Sequence, residues 1–475
     1  MSSILTINGY GISKTYYKDK IDDLKKELTM MPSVNFSLGT DEMKTFPSYY
    51  ETDKILYVPR YYGLQKFGIP KTDKLTLDME IRSNLEFIGN LREQQLVPVK
   101  NFIEAAKDPL KRGGIISVPC GFGKTIMSVY IACHFKVKTM FVSHKDFLNQ
   151  QFQDTVKQFV PNAKIGKIKQ SKIDVDDKDI VIASLQSLAI RDYDINIFKE
   201  FGLVIIDEVH HLGAEVFSRA FRKMNAPVIL GLSATLNRKD GMRKVFENYI
   251  GKSVYKLVHK DKIDVIVHMH KYFDPSVEYS SKRLLWNGKP NVAAMINNIC
   301  AFEARTLFAI ELLRQVLLKD CDRKVLILSE RRQQLTNIEE FLKEKGICDS
   351  IGYYVGGMSQ QNLDISSTKQ IILATYQMAA EGMNIPALNT VLFASPISDI
   401  QQSIGRILRE KPSERKYIPL CIDIWDEFSV FKSKGFTRIK YYKANGYKIQ
   451  YFIDGDEIGN DIEKKQEKVL FIEDD

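Results

Sequence analysis

Short, continuous apolar runs that each end on a small or polar residue recur through the first half of the chain. They are Gly114-Ile-Ile-Ser-Val118, Thr139-Met-Phe-Val-Ser143, Ile180-Val-Ile-Ala-Ser184, Leu203-Val-Ile-Ile-Asp207 and Val228-Ile-Leu-Gly-Leu232. Continuous rather than alternating apolar character marks strands buried on both faces, and the stretches between them carry helical spacing. This predicts an α/β fold: a mostly parallel sheet covered by helices, with ligands gathering at the carboxyl ends of the strands. After a helix near 291–318 the pattern returns with Lys324-Val-Leu-Ile-Leu-Ser329, Gln370-Ile-Ile-Leu-Ala-Thr375, Thr390-Val-Leu-Phe-Ala394 and Tyr417-Ile-Pro-Leu-Cys-Ile-Asp423. Between the two series, Lys262-Ile-Asp-Val-Ile-Val-His268 alternates as a half-exposed strand does, and 275–290 is polar.

The expected organisation is an N-terminal accessory domain over 1–88, a first α/β domain over 89–260, a connection over 261–290, a second α/β domain over 291–450 and an acidic tail over 451–475. Within the first segment, Leu56-Tyr-Val-Pro-Arg-Tyr-Tyr-Gly63 is basic and aromatic. Such a cluster can stack bases and bind phosphate, although half-buried packing is its commoner fate.

Composition narrows the picture modestly. At 475 residues, 44% hydrophobic and 27% charged, the chain is of ordinary globular character and long enough for two or three cores. No apolar run is long enough to span a bilayer and no signal pattern follows Met-Ser-Ser-Ile, so no membrane partner is expected and the setting is a soluble intracellular one. The six cysteines include no Cys-x-x-Cys pair, which argues against a zinc or iron–sulfur module and suits a reducing compartment. A formal charge of +9 is compatible with a polyanion but says little in a chain of this length.

The chemistry begins where the first strand meets its helix, at Val118-Pro-Cys-Gly-Phe-Gly-Lys-Thr125. Glycines at a helix N-terminus let backbone amides approach a phosphate chain, and the helix dipole favours the anion. Lys124 supplies a point charge for the β- and γ-phosphates, and the Thr125 hydroxyl can join a Mg²⁺ shell. Together with Lys124 and Thr125, the loop residues Cys120, Gly121, Phe122 and Gly123 form the nucleotide cradle. Leu91-Arg-Glu-Gln-Gln95 opens a preceding helix, placing Arg92 and Gln95 near the base. Asp207, in Leu203-Val-Ile-Ile-Asp-Glu-Val-His-His211, stands at a strand end where a second Mg²⁺-organising carboxylate is needed. In the second series, Gln402-Ser-Ile-Gly-Arg-Ile-Leu-Arg409 has helical spacing, putting Gln402, Arg406 and Arg409 on one side. An arginine from a separate domain can neutralise a transferring γ-phosphate, which would make hydrolysis depend on domain closure.

The ordered set Leu91-Arg-x-x-Gln95, Gly121-Phe-Gly-Lys-Thr125, Asp207-Glu-Val-His210, Ser233-Ala-Thr235, Ala374-Thr375, Glu381-Gly382 and Gln402-x-x-Gly-Arg-x-x-Arg409 resembles a superfamily 2 helicase or translocase. Ser233-Ala-Thr-Leu-Asn-Arg-Lys-Asp-Gly241 is similar to the extended signature of the XPB-like branch. Pro119-Cys-Gly-Phe-Gly-Lys-Thr125 and Val58-Pro-Arg-Tyr-Tyr62 are similar to the poxvirus transcript-release helicase and its relatives in large DNA viruses.

The resemblance implies two tandem RecA-like domains with parallel sheets, beside a small N-terminal domain, and ATP with Mg²⁺ as cofactors. It further implies that Glu208 positions the attacking water, that Asp207 holds Mg²⁺, and that His210 couples the nucleotide to Gln402. Ser233, Thr235, Glu381 and Gly382 are the expected coupling residues, and Arg409 is the expected finger, with Arg406 beside it. Strand contacts fall to Ser143, His144, Lys145, Ser184, Gln186 and Thr375, residue types suited to phosphate. For Ser184 and Gln186, simple helix capping is the alternative. Asn384 replaces a commonly acidic residue, so no charge-dependent role is carried over to it. The expected function is an ATP-dependent helicase or translocase on nucleic acid, DNA ahead of RNA, with an RNA polymerase or transcription complex as a partner. If viral, its place would be the host cytoplasm or the virion. An ATP-gated clamp with little unwinding, and an RNA helicase, are the alternative readings.

Overall fold

The computed structural model describes residues 2–31, 45–76, 79–119, 121–209, 214–234, 242–257, 264–381, 383, 385–410, 412–453 and 456–458. The chain divides into two compact units, Met1–Val258 and His259–Asp475.

The first unit is built on an eight-stranded sheet in the order Lys172–Asp174, Ile165–Lys169, Ile180–Ser184, Thr139–Ser143, Leu203–Ile206, Val228–Ser233, Gly113–Ser117, Ser253–Lys256. Every neighbouring pair is parallel except the outermost pair at the Lys172–Asp174 edge. The five expected strands are all present within a residue or two of their predicted ends. Successive side chains on one strand point to opposite faces, so both faces must be apolar for the strand to be buried. Ile115, Met140, Val142, Val204 and Ile206 accordingly enter one core, while Ile116, Phe141, Leu203 and Ile205 enter the other.

The N-terminal segment forms a five-stranded sheet in the order Tyr50–Glu51, Ile55–Val58, Gly9–Ser13, Ser3–Thr6, Thr72–Asp73. It is not packed separately: Leu5, Tyr10, Ile12 and Leu56 share one continuous core with the first large sheet. The basic aromatic cluster explains the attachment. Arg60 is fully buried, and its guanidinium donates to the carbonyls of Ala226 (2.9 Å), Pro227 (3.1 Å) and Arg112 (3.2 Å). Tyr61 and Tyr62 are buried as well, so this cluster is packing and presents no stacking face.

The second unit holds another eight-stranded sheet, ordered Ile351–Tyr354, Ile371–Thr375, Val325–Ser329, Thr390–Phe393, Leu420–Asp426, Ile266–Tyr272, Lys448–Ile453, Asp456–Ile458, and parallel but for its last pair. Two parts of the expected organisation differ. Ile266–Tyr272 lies between two parallel partners inside the sheet, rather than in a connection. Residues 451–453 and 456–458 belong to strands, rather than to a tail. Alternation marked the first of these as a strand, but its place inside the sheet depends on the flanking strands Leu420–Asp426 and Lys448–Ile453, which periodicity does not report.

Two buried ion pairs pin helices to opposite faces of Leu420–Asp426. Arg438, on helix Ser429–Ala444, chelates Asp423, with Nη2 2.8 Å from Oδ1, and Tyr442 donates to the same carboxylate at 2.6 Å. Arg305, on helix Glu303–Lys319, does the same to Asp426 (2.6 and 2.9 Å), joined by Tyr279 at 2.7 Å. Bidentate pairing plus a third hydrogen bond is what makes a buried carboxylate tolerable.

Candidate functional site

At the carboxyl edge of the first sheet, the strand order sorts the motifs. Gly113–Ser117 leads into the Gly121-Phe-Gly-Lys-Thr125 loop, Val228–Ser233 into Ser233-Ala, Leu203–Ile206 into Asp207-Glu, and Thr139–Ser143 and Ile180–Ser184 into the expected strand-contact loops. The phosphate loop and the strand-contact loops are thereby separated by the acidic box and the Ser-Ala turn.

Gly121 (φ +83°) and Gly123 (φ +95°) occupy the left-handed region, which lets the loop close onto helix Lys124–Phe135. Gln95 is buried beneath it. Its Nε2 donates to the Phe122 carbonyl at 2.8 Å, and its Oε1 accepts the Arg92 amide at 2.9 Å. The structure thus shows Gln95 bracing the loop from behind, whereas Arg92 at the helix N-cap is exposed. Thr125 is half-buried on the first turn of the loop helix.

Lys124 Nζ lies 2.8 Å from Glu208 Oε1, both side chains largely shielded from solvent. The other oxygen of Glu208, Oε2, accepts the Ala234 amide at 3.4 Å. One carboxylate therefore touches the phosphate-loop lysine and the Ser-Ala turn. Glu208 has φ +47°, a left-handed conformation that a residue with a side chain holds only where its surroundings enforce it. Its amide donates to Asp207 Oδ1 at 2.9 Å. Asp207 is buried, and burial, reinforced by the Glu208 charge, pushes its carboxyl up to about 7. The Ser233 carbonyl accepts the Val118 amide at 3.1 Å, tying this turn to the phosphate-loop strand as well.

On the far side of the sheet, parallel register sets Ser184 opposite Ser143. Ser143 is buried, and its hydroxyl is spent on the Lys145 carbonyl (3.0 Å) and Asn149 Oδ1 (2.9 Å), so it shapes the loop and does not face a ligand. Gln186 Nε2 donates to the His144 carbonyl at 3.1 Å, and Ser184 Oγ lies 3.3 Å from Gln186 Oε1, fusing the two loops into one surface. Burial lowers the Lys145 ammonium from its ordinary value.

In the second unit, Thr375 ends its strand in register with Ser329. The helix expected to carry Gln402, Arg406 and Arg409 on one side spans only Gln401–Ile404. Gly405 follows, and the amides of Arg406 and Ile407 then bond three residues back in successive turns, so the motif is not one continuous α-helix. Arg406 is buried and its Nη1 donates to the Met383 carbonyl at 2.8 Å, linking this motif to the Glu381 loop. Arg409 is half-buried. Cys120, His210, Thr235, Gly382 and Asn384 lie outside the described residues. Two features escaped the sequence reading: the Ala234 amide on Glu208, invisible to side-chain motifs, and Arg331 and Arg332. This arginine pair follows the strand Val325–Ser329 after Glu330, the kind of strand-end position that flagged the other motifs.

A phosphate loop with a facing acidic pair on one RecA-like sheet, and an arginine-bearing turn on a second such sheet in the same chain, define a nucleoside-triphosphatase of the tandem RecA class. Residues 88–238 match the family described as "Type III restriction enzyme, res subunit", and residues 309–411 match "Helicase conserved C-terminal domain". The chain belongs to the superfamily 2 helicases, and is an ATP-hydrolysing member related to those of large DNA viruses. It is 36% identical over 458 residues to the "Putative ATP-dependent RNA helicase L396" of Acanthamoeba polyphaga mimivirus, covering 94% of this chain and 87% of that one. The "Putative helicase 161L" of Invertebrate iridescent virus 6 is 24% identical over 383 residues, covering 76% and 82%. Among solved structures, "The fragment structure of a putative HsdR subunit of a type I restriction enzyme from Vibrio vulnificus YJ016" superposes with a TM-score of 0.52 at 17% identity, over 80% of this chain and 73% of that one, a likeness of fold. Among the described residues, no helix is long and apolar enough to cross a membrane.

Proposed function

We propose that the chain is a Mg²⁺-dependent, nucleic-acid-stimulated translocase that moves along a strand, DNA ahead of RNA, and separates duplexes or releases a transcript. The observation that carries this is the divided carboxylate of Glu208, which holds Lys124 through one oxygen and the Ala234 amide through the other. ATP phosphates would take Lys124, leaving Glu208 to position water, and the change would reach the Ser233-Ala234 turn directly. Asp207 and Thr125 fit Mg²⁺, which takes only one or two protein ligands alongside phosphates and water. A carboxyl whose proton affinity is raised first by burial and then by a neighbouring anion is stabilised by a divalent cation. Arg409 is assigned the γ-phosphate, and Arg406 its positioning through Met383. The joined loops of His144, Lys145, Ser184 and Gln186, with Thr375 on the second sheet, are assigned to the sugar-phosphate backbone, and Ser143 holds the first of those loops in shape.

The XPB-like placement rests on Ser233-to-Gly241 of the sequence. A role beside an RNA polymerase, in the host cytoplasm or the virion, rests on the resemblance of Pro119 to Thr125 and Val58 to Tyr62 to the poxvirus transcript-release helicase. RNA as the strand is the second reading, favoured by the name of the mimivirus relative. ATP hydrolysis measured without nucleic acid, and with single-stranded DNA, duplex DNA or RNA, tests the proposal alongside Lys124→Ala. DNA stimulation abolished in the variant supports it, stimulation by RNA alone selects the second reading, and none at all refutes both.

A further inference from the structure

Residues 283–291 fold into a tight β-hairpin ahead of helix Val292–Ala301. The Asn291 amide donates to the Arg283 carbonyl (2.7 Å), the Leu285 amide to Lys289 (2.8 Å), and the Gly288 amide to Leu285 (3.0 Å). Gly288, at φ +75° with open space around it, completes a three-residue turn of the kind that a left-handed glycine closes. At the first central position of that turn stands Trp286, 87% exposed. A tryptophan displayed this way is not the product of a slack loop. The hairpin base is held by Asn298 Nδ2 on Ser281 Oγ (3.2 Å) and by buried Tyr279 on Asp426 (2.7 Å).

Two further observations give the ring a ligand. Lys282, Arg283 and Lys289 are exposed around it, and no acidic residue lies between 279 and 302. Helix Val292–Ala301 is fastened to the carboxyl end of strand Val325–Ser329: Arg331 Nε donates to Asn297 Oδ1 at 2.6 Å, and Ser329 is in register with Thr375. The hairpin therefore belongs to the same edge of the second sheet as the assigned backbone contact. Cations with an aromatic face at a strand-contact edge are the chemistry of base stacking on single-stranded nucleic acid.

We infer that Trp286 is a stacking pin for an unpaired base, with Lys282, Arg283 and Lys289 holding the flanking phosphates. This rests on the helicase reading and adds a site to it. The chain has two tryptophans, and the other, Trp425, is buried. Emission of wild type minus that of Trp286→Phe thus reports this ring alone. Titration with oligodeoxythymidylate or oligouridylate is expected to quench the difference signal, with binding followed independently by the anisotropy of a labelled strand. Trp286→Ala is expected to weaken binding about five- to hundredfold, the range for losing one stacked base, while Trp286→Tyr retains most affinity. Hydrolysis without nucleic acid should be unchanged in all three. Strand binding and stimulated hydrolysis with no quenching, or with Trp286→Ala at wild-type affinity, would overturn the pin and leave the helicase reading standing. Absence of binding to either strand would overturn both. The DNA and RNA arms identify the strand.

Discussion

Replacing Glu208 by Gln should separate two consequences of one carboxylate. Lys124 and Glu208 sit 2.8 Å apart with little solvent around either side chain, and on the proposed reading ATP draws Lys124 away. Two unit charges at that distance attract by about 6 kcal/mol at an effective dielectric constant of 20. Desolvation offsets much of this, and a charge-assisted hydrogen bond nets about 1.5–3 kcal/mol. Gln keeps a neutral acceptor, so about half of that net worth should pass to the nucleotide, equivalent to about four- to tenfold tighter ATP binding. Neutralising Glu208 also removes the second of the two causes that raise the Asp207 carboxyl and leaves the first, burial, so the carboxyl should relax only part of the way toward its ordinary range. Hydrolysis should fall by about 10²- to 10⁴-fold, the usual worth of a positioned general base. Equilibrium titration with a fluorescent ATP analogue, beside a phosphate-release assay, reads both quantities. A Glu208→Gln protein that binds nucleotide more weakly than wild type, or hydrolyses at the wild-type rate, would refute the argument.

Gly123→Ala should force Gln95 off the Phe122 carbonyl, because a Cβ there would collide with Gln95 Nε2 at a left-handed φ. Losing that buried hydrogen bond costs about 1–3 kcal/mol, read as a lower thermal midpoint and a raised KM for ATP. Arg438→Met strands the Asp423 carboxylate in the core, so urea unfolding should show a loss of about 3–5 kcal/mol, and adding Asp423→Asn should restore part of it. His270, stacked on Phe452 with centroids 4.5 Å apart, is pulled down to about 3, first by burial and then by His268. Its folded pKa lies below the unfolded value of about 6.5, so its contribution is fully present above that pH and lost on acidification toward 3. Stability should fall by about 1.4 kcal/mol for each pH unit in that window, and His270→Phe should flatten the slope in urea titrations between pH 7 and 5.

The residue pattern alone determined the α/β class and nine strands to within a few residues, and it put the Gly121-to-Thr125 loop and the Asp207-Glu208 pair at strand ends. These are local properties: apolar continuity specifies a doubly buried strand, and glycine with lysine at a helix start specifies an anion cradle. Periodicity missed what depends on neighbours. Ile266–Tyr272 is central only because Leu420–Asp426 and Lys448–Ile453 flank it, and the spacing of Gln402, Arg406 and Arg409 reads as helical although the chain turns after Gly405.

Burial, too, was decided by the tertiary structure. Arg60 and Arg438 look like surface cations in sequence, yet one clamps the N-terminal sheet and the other neutralises a core carboxylate. Ser143 has the residue type of a phosphate contact, but its hydroxyl is consumed by its own loop. Gln95 has the donors and acceptors to read a base, and packing turned them onto the Phe122 carbonyl and the Arg92 amide. The exposure of Trp286 runs the other way, an apolar residue that no pattern marks as functional until the hairpin places it in solvent. Residue type sets which interactions a side chain can make, and the packed chain decides which of its polar atoms remain available to a ligand.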